Sequence, residues 1–272
     1  MGKSSGVGIG VFEDTENQYE TIEQVLALNT DNFVRSEEEI PDFNFTASRY
    51  WMRFTIQNQT TFEHFIFETA RPVTNKAELF EINGGIIEKH YVSGDDFHYE
   101  DKEIVHRKNL FPIDLEKGES KTFYLKLESD GELLFAPIIF HDRMSFFAQD
   151  FKNQFKNGFY FGLIALVVII YFFFFLFLRD KTFLFYILYA FSQGMLQFSL
   201  DGYSHHHFFP GGGYLASHSL LVFAGLTVIF LLTYVNNFLQ LKNNSPVLWK
   251  VFYGVRLLMV GIIVMSLIPG TL

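Results

Sequence analysis

The sequence predicts a β-sandwich outer domain, jelly-roll-like, followed by an all-α transmembrane helical region. Three observations predict it. Charge breaks at residue 157: residues 1–157 hold 16 of the 21 Lys/Arg and 28 of the 30 Asp/Glu (16 − 28 = −12), and the rest hold five basic and two acidic side chains (5 − 2 = +3). Ahead of the break apolar residues recur with period two, as in strands with one buried face. Behind it lie apolar stretches of about 20 residues with a single charge among them, long enough to cross a bilayer.

The whole chain is 49% hydrophobic and only 19% charged over 272 residues, apolar for a soluble protein of that size. The acidic outer part has no Lys/Arg-rich block, which argues against nucleic acid as a partner, because phosphate binding needs clustered positive charge. With no cysteine there are no disulfides and no thiolate metal sites. Compartment must then come from topology.

Residues 1–11 are short, polar and glycine-rich, with no apolar segment of a signal peptide, and read as a flexible lead-in. Thr21 with Gln24 three residues on, ahead of Val25, Leu26 and Leu28, is a capping box that opens a short helix. From Tyr50 the period is two, with Tyr50, Met52, Phe54 and Ile56 on one face and Trp51, Arg53, Thr55 and Gln57 on the other. Similar runs follow at Glu63–Thr69, Ala77–Ile82, Ile86–Val92, Ile104–Ile113, Lys121–Glu128 and Glu132–Phe140. Asn83-Gly84-Gly85, Lys117-Gly118 and Asp130-Gly131 mark the turns between them. Seven short strands without intervening helical periods place an extracytoplasmic sandwich over residues 12–144.

Phe147, Phe151, Phe155 and Phe159 then recur at four-residue spacing, giving a linker helix over 145–157 that leads into the membrane region 158–272. Spans are expected at about 158–178, 182–200, 219–238 and 251–268. Arg179 and Lys181 follow the first span, Lys242 and Lys250 lie between the third and fourth, and the loop from Asp201 to His218 has neither Lys nor Arg. The basic loops face inward, so the β-domain and the histidine-rich loop face outward. Arg256, the one charge inside a span, reads as an anchor snorkelling to the inner interface. Four spans that start outside end outside, which puts Pro269, Gly270 and Leu272 near the outer surface with no cytoplasmic module; the sequence is expected to be a fragment of a longer chain.

In order along the chain, Tyr50-Trp51-Met52-Arg53-Phe54, Glu68-Thr69-Ala70-Arg71-Pro72, Ser93-Gly94-Asp95 and His106-Arg107 running to Phe111-Pro112 are followed by membrane-half motifs. These are Gly158-Phe159-Tyr160-Phe161-Gly162, Leu178-Arg179-Asp180, Ser199-Leu200-Asp201-Gly202 and Phe208-Phe209-Pro210. Together, over roughly residues 12 to 265, they resemble the seven-transmembrane receptors with diverse intracellular signalling modules, in the version with the type-2 extracellular domain. The resemblance implies an external jelly roll similar to carbohydrate-binding modules, seven helices, and a cytoplasmic kinase, cyclase or phosphatase. This sequence shows four spans and no output domain.

Trp51 beside Arg53 on one strand face could stack on a sugar ring and hydrogen-bond its hydroxyls, with Arg71, Asp95, His106 and Arg107 completing a polar site. The competing reading packs Trp51 in a second small core and pairs the arginines with Asp/Glu. His205, His206, His207 and His218, with Asp201, could hold a metal or sense protons, with His205, His207 and His218 as weak metal candidates; a solvated loop is the competing reading. Gln193 and Gln197 share one helical face and should turn toward other helices, through packing or around a small cavity. No catalytic order or zinc helix occurs, so the chain is expected to be no enzyme and to need no cofactor.

The expected function is the receiving half of a bacterial inner-membrane receptor. Its expected partners are the lipid bilayer, a carbohydrate or other small envelope ligand, and a sister receptor or second copy of the chain. A pure protein-interaction module is the alternative, and a carbohydrate-active enzyme a third.

Overall fold

The computed structural model describes residues 8–36, 38, 40–131 and 133–268. The lead-in at residues 1–7, the strand start at Glu132, and Pro269, Gly270 and Leu272 lie outside them. The chain forms two compact units, Met1–Gln149 with His205–Gly213, and Asp150–Ser204 with Tyr214–Leu272.

The alternating run at Tyr50 forms a nine-residue strand, β4 (Arg49–Gln57). Before it come β1 (Gly10–Asp14), β2 (Val34–Arg35) and β3 (Asp42–Phe45), and after it β5 (His64–Thr69), β6 (Lys76–Asn83), β7 (Ile86–Ser93), β8 (Asn109–Asp114), β9 (Ser120–Glu128), β10 (Leu133–Phe135) and β11 (Ile139–Asp142). A six-stranded sheet runs β2-β1-β4-β9-β6-β7, a three-stranded one β11-β5-β8, and β10 pairs with β3. All pairings are antiparallel.

Period two puts Met52, Leu125 and Leu79 in one row across β4, β9 and β6. That row joins Tyr50, Phe54, Phe123 and Leu127 in a core shared with Phe67, Phe111 and Ile113 of the smaller sheet. Phe54 of the large sheet meets Phe67 at 5.5 Å and Phe140 at 6.4 Å between ring centroids, so aromatic rings span the gap between the sheets.

Four strand expectations differ in the structure. Strand β1 begins at Gly10, inside the expected lead-in, because the segment adds to the edge of β4 through five residue pairs. Strands β2 and β3 carry no clear alternation and form only by pairing. The run expected at 104–113 is a strand from Asn109 alone; the stretch before it is bent. The run ending at Phe140 is broken around Pro137, which has no N–H for a ladder, into β10 and β11.

Helix α1 (Ile22–Leu26) opens with the expected box: the Gln24 side chain accepts from the Glu20 and Thr21 amides at 2.8 and 3.1 Å. Its Ile22 and Val25 cover the outer face of the large sheet and close a second core with Trp51, Phe80, Ile82 and Tyr124. Beside that core an ion-pair chain crosses the sheet. Glu128 accepts from Arg49 Nε at 2.7 Å and from Lys76 and Lys126 at 3.0 Å, and Lys126 also pairs with Glu78 at 2.9 Å.

Helix α2 (Arg143–Leu178) runs unbroken from the expected linker through the first span. It is followed by α3 (Lys181–Leu200), the short α4 (Tyr203–His207), α5 (Tyr214–Phe238), the short α6 (Leu241–Asn244) and α7 (Pro246–Ser266). Four of them, α2, α3, α5 and α7, are long and apolar enough to cross a membrane. Small residues bring them close: Gly194 of α3 lies against Ile164, and a Cβ on Gly225 of α5 would come within 2.7 Å of Ile263 on α7.

Arg256 does not stand alone as an anchor: its Nη1 donates to Thr233 Oγ1 on α5 at 3.3 Å. Thr233→Val keeps the shape and removes that acceptor, and is expected to cost about 1 kcal/mol. Thermal melting of the chain in detergent checks it; no change in melting would mean that the bond adds nothing. Gln197 donates to Asp201 at 3.2 Å, so its amide is satisfied at the end of its own helix.

Candidate functional site

The residues expected to hold a ligand do not converge. Trp51 is fully buried, and its Nε1–H donates to Tyr19 O at 3.1 Å, so neither ring face is open to a sugar. The plate expected on that face is a core residue because α1 covers it. Arg53 is half-buried on the same face as Trp51. Arg71 lies over the Phe135 ring at 5.8 Å, and its carbonyl accepts from Asn109 Nδ2 at 2.7 Å. His106 meets Phe146 edge-on at 5.6 Å, and Arg107 is buried.

What the structure gathers instead is Asp95 with the histidine-rich segment. Gly94 makes the turn after β7 with φ +126°, where a Cβ would stand 2.1 Å from Asn75 O, so only glycine lets the chain turn here into Asp95. His98 then caps a 3-10 turn over Tyr99–Asp101 that ends against Lys102.

Onto this stretch docks His205–Gly213. The Tyr99 amide donates to Pro210 O at 2.7 Å, and the Gly213 amide to Asp95 O at 3.0 Å. His205 Nε2 lies 3.0 Å from Phe97 O. Tyr99 stacks on His206 at 4.4 Å and meets His205 edge-on at 5.3 Å, and Lys102 Nζ sits 5.2 Å from the centre of the Tyr99 ring. Gly212 approaches so closely that a Cβ would lie 2.4 Å from Phe97 O.

The electrostatics of this clasp are unusual. Lys102 is 3% exposed and its Nζ makes no hydrogen bond. Burial pushes its pKa down to about 8, against the opposing pull of Asp95. Burial, with the Lys102 charge next, pushes His205 down to about 4, and the Phe97 carbonyl only partly offsets this. Tyr99 and Lys102 were invisible as site residues in the sequence: Lys102 sits in a charged Asp-Lys-Glu triplet that reads as solvated loop.

A second junction forms where β11 passes into α2. Phe146 is buried against Ile66 and Leu110 of the small sheet, ringed by His106 and His141. Beside it Lys108 donates to Glu68 at 2.6 Å, and His141 lies 3.3 Å from the same carboxylate. The helix that enters the membrane region thus starts from a ring seated in the outer domain.

His207 is exposed with its ring 4.3 Å from that of His206, and His218 Nδ1 lies 3.0 Å from Tyr214 O. Among the described residues no group of three or more His, Cys, Asp or Glu side chains is placed to hold a metal ion.

Two family profiles match this arrangement. Residues 7–141 match the 7TMR-DISM extracellular 2 domain, and residues 153–271 match the 7TM diverse intracellular signalling region. The two matches together span nearly the whole chain. The chain belongs to the 7TMR-DISM receptor family. As a 7TMR-DISM chain it is a multi-pass membrane protein that carries an extracellular sensory domain ahead of the membrane region of a signalling receptor. No curated protein matches it significantly. Among solved structures, a GH31 alpha-xylosidase from Xanthomonas citri is similar at 12% identity and a TM-score of 0.25, over 50% of this 7TMR-DISM chain and 13% of that enzyme. A likeness that low supports no conclusion about fold or activity.

Proposed function

We propose that this chain is the non-catalytic receiving half of a bacterial inner-membrane receptor, in which a small envelope ligand on the outer domain changes the state of the membrane helices. The observation that carries this reading is the docking of His205–Gly213, a segment strung between α3 and α5, on the Asp95–Lys102 stretch of the outer domain. A ligand shifts such a system only if it binds the docked and released forms with different affinity. The Phe146 socket offers a second route, through α2.

A saccharide is the ligand class we propose, because the resemblance of the sequence motifs implies an outer domain similar to carbohydrate-binding modules, although Trp51 is buried and is not proposed as its contact. The test is a panel of neutral and acidic oligosaccharides applied to the chain in nanodiscs, read by hydrogen exchange. Binding that alters exchange of the 205–213 amides by several-fold is the expected result. Saccharide binding with no change in that segment would remove it from the signalling route.

One observation favours the second reading, a module that binds a sister chain: Phe151 and Phe155 of α2 are 72% and 71% exposed and continue the bare stripe begun by Met144 and Phe147. No saccharide binding, together with a stable dimer by native mass spectrometry, would favour that module.

A further inference from the structure

The clasp contains a proton-sensitive contact. A carbonyl oxygen can only accept, so the 3.0 Å contact with Phe97 O requires the proton of neutral His205 to sit on Nε2. That leaves Nδ1 bare, and it is buried without a hydrogen-bond partner. A second proton would create an N–H there with no acceptor, in a buried site that already holds the Lys102 ammonium.

We propose that His205–Gly213 is an acid-released clasp: it stays docked while His205 is neutral, and protonation of His205 detaches it from the outer domain. The inference rests on the reading that this segment relays the outer domain's state, and it adds the proton as a regulator of that relay.

The groups that face His205 all act in one direction except one. Lys102, His98 and His206 repel a proton on it, and the Phe97 carbonyl alone favours one. Lys102 is itself held near Asp95, which favours its charge without overcoming burial. His206, stacked on Tyr99, is also pushed down, by burial and by His207.

The sign follows from linkage. His205 binds its proton more weakly docked, at about 4, than in the free segment, at its ordinary 6.5. Docking is therefore strongest above pH 6.5 and weakens as pH falls from 6.5 toward 4. Lys102, at about 8 when docked, is charged in both forms across this window, so its own linkage lies above pH 8 and the trend below 6.5 belongs to His205.

The experiment is hydrogen exchange on the whole chain in nanodiscs from pH 7.5 to 4.5, with each rate normalised to the intrinsic rate at that pH. The reporters are the Tyr99 and Gly213 amides, whose acceptors lie across the clasp. Their protection is expected to fall more than ~10-fold across this range, while the paired amides of β4 and β9 hold. Lys102→Met, which removes the repelling cation, should retain protection to lower pH. His205→Phe should abolish the pH dependence if it docks.

Protection at Tyr99 and Gly213 that is flat with pH in the unaltered chain overturns the proposal. So does loss that accompanies β4 and β9, which is global unfolding. If His205→Phe does not dock, the unaltered chain and Lys102→Met still decide. Because the readout is docking and not signalling, a flat profile leaves the relay reading intact. A relay failure in the saccharide test leaves the proton effect standing.

Discussion

Trp51→Ala is expected to destabilise the outer domain by about 3–5 kcal/mol, the usual cost of emptying a large aromatic from a packed core. The indole is fully buried between Phe80, 5.8 Å away, and the α1 residues Ile22 and Val25, and its N–H is bonded to Tyr19 O. Truncation would leave that carbonyl without its donor and α1 without the ring it packs on. For a unit of this size about 4 kcal/mol lowers Tm by roughly 8–16 °C. Hydrogen exchange of the β4 and β9 amides during thermal unfolding reads this directly. A change below about 1 kcal/mol would show that the indole is not a core element. Loss of ligand binding in the same variant would report unfolding, so it cannot identify Trp51 as a contact.

The second large effect centres on Glu128. Burial pushes this carboxyl up, but hydrogen bonds from Lys126, Lys76 and Arg49 outweigh it and hold its pKa at about 2. Its folded value lies below the ordinary 4.5, so its contribution is fully present above pH 4.5 and is lost as pH falls toward 2. A shift of that size sets a ceiling of about 3 kcal/mol, which water reaching this partly open carboxylate lowers to about 1–2 kcal/mol. Glu128→Gln should remove a comparable amount at pH 7, because Arg49 and Lys126, both nearly buried, lose one partner while retaining Asp14 and Glu78. Acid denaturation of the unaltered chain should steepen between pH 4.5 and 2, and the Gln variant should lack that component. A Gln variant of unaltered stability at pH 7 would reduce the network to surface decoration. This window lies mostly below the one in which the clasp is expected to open, so the two acid effects are separable.

Much of the fold was legible because it is written in local periods. Two-residue alternation located β4, β5, β6, β7 and β9, and the expected turn glycines Gly84, Gly118 and Gly131 sit where turns with positive φ need them. Apolar length located the four helices, since crossing a bilayer is a requirement on consecutive residues. The strands β1, β2 and β3 escaped because their pairing depends on a partner elsewhere in the chain and not on their own alternation. The site was less legible for the same reason. Asp95 and His205 were picked out, but Lys102 and Tyr99 join them only because a segment more than 100 residues later folds back onto their loop.

The opening prediction of a β-sandwich ahead of membrane helices, with the acidic domain outside, was determined by the sequence itself: hydrophobic period, apolar length and the placement of Lys and Arg are properties of the chain read in order. Which side of a strand is covered is not such a property. Tertiary structure alone decided that α1 would bury Trp51, that Lys102 would lose its water, and that His205 would meet Phe97. Desolvation depends on what arrives from elsewhere in the chain, and desolvation is what turned a core tryptophan, a loop lysine and a loop histidine from the same residue types into different chemistry.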